Sequence, residues 1–274
     1  HATAAVVLDR MVAKARKTIA VLDVNDQAKE AVYHEERMRR FAAEGAHVAV
    51  WDIQHPSTPL TPAEDGPGDV VPVLVDVRDA SAVAAATHDV VRRWGRLDVL
   101  VNNAGVIHRA PIVDTETKDY RKVIETDLIG PFALAREVGR HMLAREYGRI
   151  VNISSIMAVL GRGTVAGYVS AKHGLLGLTR AAALDLIGRG IRVNAVAPGP
   201  VDTAMAKHVH TKEIRADYHD HIPLNRYGLE AELANAIFFL CNEQASYVTG
   251  QVLAVDGGFD AVGVGLPTLR GQRR

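Results

Sequence analysis

The sequence predicts an α/β protein: a doubly wound, seven-stranded parallel sheet with helices on both faces. Three observations carry this. Short Val/Ile/Leu runs alternate with longer helical patterns from one end of the chain to the other. Most of the runs are continuously apolar, the pattern of strands covered on both faces. The unusual polar residues follow the runs directly, where open parallel sheets bind their ligands.

The strands are expected at Thr18–Val24, His47–Asp52, Val71–Asp76, Leu97–Asn102, Arg149–Ser154, Ile191–Val196 and Gln251–Val255. Helical patterns lie between them, such as Ser81–Trp94, closed by Gly95, and Glu230–Asn242. Repeated strand–helix–strand units imply parallel pairing through right-handed crossovers. The Pro/Gly-rich loop Gln54–Asp69 is too short for a hinge, and no composition shift divides the chain. Residues 1–274 are therefore expected to form one domain, with 1–16 as an N-terminal extension and 261–274 as a tail that frays or packs across a subunit interface.

Composition excludes several function classes. The 274 residues hold 32 Lys+Arg and 32 Asp+Glu, so the basic excess of a nucleic-acid binder is missing. Mean hydropathy is +0.02, and charge interrupts every apolar stretch well before membrane-spanning length. The only cysteine, Cys241, allows no internal disulfide and fits a reducing, cytoplasmic setting. It lies in the apolar run Ala236–Cys241 and is expected to be a buried small hydrophobe rather than a nucleophile.

The chemistry-bearing motifs come in order. Asn102-Asn103-Ala104-Gly105 follows the fourth strand, Ser154-Ser155 the fifth, then Tyr168-Val169-Ser170-Ala171-Lys172. Pro198-Gly199-Pro200-Val201-Asp202-Thr203 follows the sixth, and Asp256-Gly257-Gly258 closes the set. Tyr168 and Lys172, four apart, share one helix face. A phenol ordinarily ionises near pH 10, too high for a base near neutrality, and an adjacent ammonium favours the phenolate.

From Phe41 to Phe259 the sequence resembles the short-chain dehydrogenase/reductase family, whose fold is Rossmann-like. The resemblance implies that Tyr168 exchanges a proton with a substrate oxygen while hydride passes to or from nicotinamide. Ser155 would hold that oxygen and Lys172 the nicotinamide ribose. Asp52, ending the second strand, would accept both adenosine ribose hydroxyls and repel a 2′-phosphate. No Arg or Lys follows it within ten residues, so NAD is expected over NADP. Asp76, with Val77 beside it, would receive the adenine amine. Asn103, Ala104 and Gly105 would flank the adenosine side; Pro198, Gly199, Val201 and Thr203 would hold the carboxamide and pyrophosphate end. Asn102 is equally readable as a bridge between strands.

Two departures from the family stand out. Its glycine-rich phosphate loop has no counterpart, because no glycine precedes Gly45. Without gaps, Ala28, Val32 and His34 occupy the glycine positions, and Glu30, Glu35 and Glu36 add negative charge. Bare backbone is what lets pyrophosphate approach a helix N-terminus. Three readings stand: cofactor held by the remaining contacts, dinucleotide binding lost with the fold kept, or an N-terminal stretch that is not the natural one. Second, the family's catalytic Asn is replaced by Asp127, in Asp127-Leu128-Ile129-Gly130. An ionised carboxylate there only accepts hydrogen bonds and partly offsets the lysine's charge.

The resemblance places a substrate lid at 204–224, which carries Lys207, His208, His210, Lys212, Arg215, Tyr218, His219 and His221. A polar or anionic hydroxyl/keto substrate fits this composition: a sugar derivative, polyol or hydroxy acid, with Arg215 toward an anion. The histidines match no tight ligand spacing, so no metal is expected. Wide apolar faces at Phe132–Leu143 and Gly174–Leu186 match the helices that the family pairs in a homotetramer, a dimer of dimers. The expected activity is an NAD(H)-dependent oxidoreductase of CH–OH groups. Its rivals are a non-catalytic binding protein of the same fold and an NADPH-dependent 3-oxoacyl reductase, which Asp52 disfavours.

Overall fold

The computed structural model of the chain describes residues 19–23 (as backbone), 40–54, 69–203, 206–207 and 210–262. The strands are β1 Ile19–Asp23, β2 His47–Asp52, β3 Val70–Leu74, β4 Val99–Asn102, β5 Gly148–Ile153, β6 Ile191–Pro198 and β7 Val252–Val255. They form a sheet of order β3-β2-β1-β4-β5-β6-β7, every neighbouring pair parallel. Strand order reverses between β1 and β4, which opens a crevice at their carboxyl ends.

The main helices are α1 Ala80–Trp94, α2 Thr117–Ile124, α3 Gly130–Arg145, α4 Ala166–Leu186, α5 Lys212–His221 and α6 Glu230–Cys241. Strand side chains alternate between two cores. Trp51, Leu100 and Ile150 join Leu134 and Met142 of α3 in one; Val50, Val101 and Val151 join Leu233 and Ile237 of α6 in the other. Consecutive strand residues thus face opposite apolar layers, which is why the runs carry no polar alternation. α1 begins where Asp79 accepts from the amides of Ser81 and Ala82, and ends at Gly95 in the left-handed region, φ +78°. Among the described residues no helix is long and apolar enough to cross a membrane.

Two local features differ from the sequence expectation. β3 stops at Leu74, because Asp76 accepts the amide of Arg78 at 2.9 Å and turns the chain. Between α2 and α3, Glu125–Ile129 forms a π-helical turn that holds Asp127; such wide turns recur at functional sites. The missing-glycine reading falls on 24–39, the extension on 1–16, parts of the lid on 204, 205, 208 and 209, and the tail mostly on 263–274. All lie outside the described residues.

Candidate active site

The ends of β4, β5 and β6 and one face of α4 build the site. Asn102 Nδ2 donates to Asn152 Oδ1 at 2.7 Å, and Asn152 Nδ2 donates to Thr179 Oγ1 at 2.9 Å. These buried amides tie β4, β5 and α4 together, so Asn102 is a bridge between strands. Ser154 Oγ, just past β5, donates to the Lys172 carbonyl at 3.1 Å and fixes α4 against that strand end. The next residue, Ser155, accepts the Met157 amide on Oγ at 3.1 Å.

Lys172 is buried, although lysine seldom is without a partner. Its ammonium donates to the Ile153 carbonyl at 3.0 Å, lies 3.4 Å from Asp127 Oδ2 and stands 5.5 Å from the Tyr168 ring centre. Asp127 is fully buried, and its Oδ1 accepts the Val106 amide at 2.8 Å. Burial pushes the Asp127 carboxyl above the ordinary carboxylate range, and the Lys172 charge and the Val106 amide oppose that rise. The loop after β4 comes so close that a Cβ on Gly105 would sit 3.0 Å from Asp127 Oδ2 and 3.5 Å from Lys172 Nζ.

These groups open on a cavity of about 310 Å³. Ser155, Tyr168 and Lys172 line it, together with Asn103, Gly105, Pro198, Gly199, Val201 and Thr203. Gly199 needs its missing side chain for packing: a Cβ there would lie 2.7 Å from the Asp256 Cα. Asp52, Asp76, Val77 and Ala104 do not line the cavity. Asp52 ends β2 and caps its own turn through the Gln54 amide. The Asp76 carboxylate grips Arg78 through both oxygens, which holds it below the usual carboxylate range. Val77 and Ala104 have buried side chains in the core.

The lid contributes Ala206, His210 and Tyr218 to the cavity wall. Arg215 turns elsewhere: it binds Asp202 at 2.6 Å and covers the Tyr227 ring at 4.4 Å. Its place is taken by Arg109 and Arg162, two lining cations that sequence reading missed. The available signal was their position a few residues past the strand-end motifs. Burial, then the charges of Arg162, Arg109 and Arg215, lower the His210 imidazole pKa. Among the described residues, the lid histidines gather no set of metal-ligand atoms. The group whose donor atoms approach within 4.8 Å of one another is His88, Glu137 and His141, on α1 and α3 outside the cavity wall.

Comparison with known proteins gives the family. A family model described as Enoyl-(Acyl carrier protein) reductase matches residues 36–260. A 3-oxoacyl-[acyl-carrier-protein] reductase FabG of Thermotoga maritima is 40% identical over 220 residues, 80% of this chain and 89% of the relative. Cis-4-hydroxycyclohexanecarboxylate dehydrogenase of Sinomonas cyclohexanicum is 39% identical over 226 residues, 82% of this chain and 90% of the relative. The crystal structure of levodione reductase superposes with a TM-score of 0.82 at 29% identity, covering 90% of this chain and 98% of that one. With its strand order, its strand-end motifs and these relatives, the chain belongs to the short-chain dehydrogenase/reductase family of Rossmann-fold oxidoreductases.

Proposed function

We propose that the protein transfers hydride between NAD(H) and a polar secondary alcohol or ketone, with Tyr168, Ser155 and Lys172 acting on the substrate and Asp127 positioning the lysine. The observation that carries this is the convergence of Ser155, Tyr168 and Lys172 on one cavity, with Lys172 backed by a buried carboxylate. A scaffold without catalysis has no physical need to bury an ammonium beside a phenol, since an unused buried ion pair costs desolvation.

The residues present fit the nicotinamide half of the cofactor. Gly105 keeps the β4 loop bare beside Lys172, and Val201 and Thr203 face the same cavity from the segment after β6. Asp52, at the end of β2, would accept adenosine ribose hydroxyls and repel a 2′-phosphate. Arg78, the cation nearest to Asp76, is already committed to that carboxylate. Both features favour NAD over NADP. A bound nicotinamide supplies or takes the hydride.

The chain's own residues do the rest. Ser155 Oγ accepts the Met157 amide, so its hydrogen is left to donate to a substrate oxygen. The Tyr168 hydroxyl gives a proton to that oxygen in reduction, and its phenolate takes the proton in oxidation. The Lys172 ammonium stands 5.5 Å from the Tyr168 ring centre, on the same cavity wall. The Ile153 carbonyl and Asp127 hold the ammonium in place.

The same proposal takes residues 1–274 as one cytoplasmic domain with 204–224 as its lid. It pairs α3 and α4 with their copies in a homotetramer, since Phe132 on α3 and Leu184 on α4 are 46% and 78% exposed. Calorimetric titration with NADH and NADPH, beside a Tyr168→Phe control, tests the function. NADH binding tighter than NADPH, with turnover abolished in the control, is expected. Binding of neither would overturn the oxidoreductase reading in favour of a non-catalytic binding protein; tighter NADPH would favour the 3-oxoacyl reductase.

A further inference from the structure

We propose that Arg109 and Arg162 form a clamp for an oxyanion on the substrate, so that the alcohol or ketone carries a carboxylate or a phosphate monoester. This rests on the oxidoreductase reading above and names its substrate class.

Among the described residues the cavity wall holds four basic side chains, Arg109, Arg162, Lys172 and His210, and no Asp or Glu. The cations nearby differ in how they are compensated. Asp127 faces Lys172, and Asp202 serves both Arg215 at 2.6 Å and Lys207 at 3.4 Å. Arg162 instead donates to a neutral group, the Tyr218 hydroxyl, at 2.7 Å. Arg109 makes no ion pair or hydrogen bond among the described residues. Two exposed guanidiniums thus share one concave wall that carries no acid among the described residues. An oxyanion from solution supplies the missing negative charge, and the planar guanidinium fork matches carboxylate and phosphate oxygens.

The backbone holds the two arginines on neighbouring loops. Ala110 N, next to Arg109, donates to the Thr164 carbonyl at 2.9 Å, two residues beyond Arg162. Thr164 takes φ +66°, a left-handed conformation that a β-branched residue adopts only under strain. Gly161 takes φ +71° on the other side of Arg162. The Arg162 contact to Tyr218 reaches α5 of the lid, so an anion bound there also engages the lid. Arg215, tied to Asp202, organises the lid rather than the substrate.

The test is steady-state kinetics on matched pairs: short hydroxy acids against their amides, and sugar phosphates against the free sugars. Each is measured with the wild type, Arg109→Ala, Arg162→Ala and Arg162→Lys, and melting curves confirm that each variant is folded. The clamp predicts a preference for the anionic member of a pair. It predicts a fall in kcat/KM of roughly 10- to 100-fold for each arginine lost, carried by KM, from the usual strength of a charged hydrogen bond. Arg162→Lys should retain part of the affinity, because the charge stays and the fork goes. Preference for acids over phosphates, or the reverse, identifies the oxyanion. Equal turnover of charged and neutral members, unchanged in the variants, overturns the clamp and leaves the oxidoreductase standing. Arginine-dependent calorimetric binding of the acids or phosphates without cofactor binding or turnover would keep the clamp and overturn the oxidoreductase.

Discussion

The carboxylate of Asp127 should leave a mark on the pH dependence of alcohol oxidation. Asp127 Oδ2 is 3.4 Å from Lys172 Nζ, which is 5.5 Å from the Tyr168 ring centre. The carboxylate is therefore no more than about 9 Å from the ring. At an effective dielectric of about 20, a charge at that distance opposes negative charge developing on the ring by about 1.8 kcal/mol, roughly 20-fold in rate. In Asp127→Asn that opposition is gone, so kcat/KM for oxidation should rise by roughly 20-fold where the wild-type carboxylate is ionised. Because burial raises the Asp127 pKa, the opposition exists only above that raised value. The wild-type profile should accordingly carry one titration more than the variant's. The assay is kcat/KM for oxidation from pH 5 to 10 at constant ionic strength. Superimposable profiles, with both proteins folded and binding cofactor equally, would refute the coupling.

The same carboxyl has a stability signature. A carboxyl whose folded pKa lies above its unfolded value stabilises the fold fully below the unfolded value, about 3.9, and that contribution is lost as pH rises through the folded one. The Tm of the wild type should therefore fall relative to Asp127→Asn as pH rises from 4, and a parallel pair of Tm curves would contradict this. Gly105→Ala puts a Cβ 3.0 Å from Asp127 Oδ2 without any backbone strain. It should cost roughly 10- to 100-fold in kcat by displacing the Asp127–Lys172 pair, and full activity would show that the pair has room to give. Gly148→Ala meets buried Met142 at 2.7 Å from Cγ, so melting should show a loss of about 1–3 kcal/mol. The Cys241 thiol, pushed up to about 12 by burial, should resist maleimide at pH 8 until denaturant unfolds the chain; rapid labelling of the native protein would place it at the surface.

The sequence alone determined the sheet and much of the lining of the candidate cavity. Seven apolar runs became seven strands within two residues at most ends, because a strand sandwiched between two helical layers has no polar face to blur its pattern. Tyr168 and Lys172 were legible because four residues make about one helical turn, and Ser155 because it lies two residues past a strand. The tertiary structure decided what depends on partners far away in sequence. Asn102 is a bridge because Asn152, fifty residues on, meets its amide. Asp127 sits on a π-helical turn that brings it to Lys172, a geometry with no signature in local propensity. Asp76 carries an arginine two residues later, and Arg215, singled out for its charge, spends that charge on Asp202. Arg109 and Arg162 share a wall because one backbone hydrogen bond joins their loops. Periodicity records which face of an element is buried; which charges neutralise each other is settled only when the chain is folded.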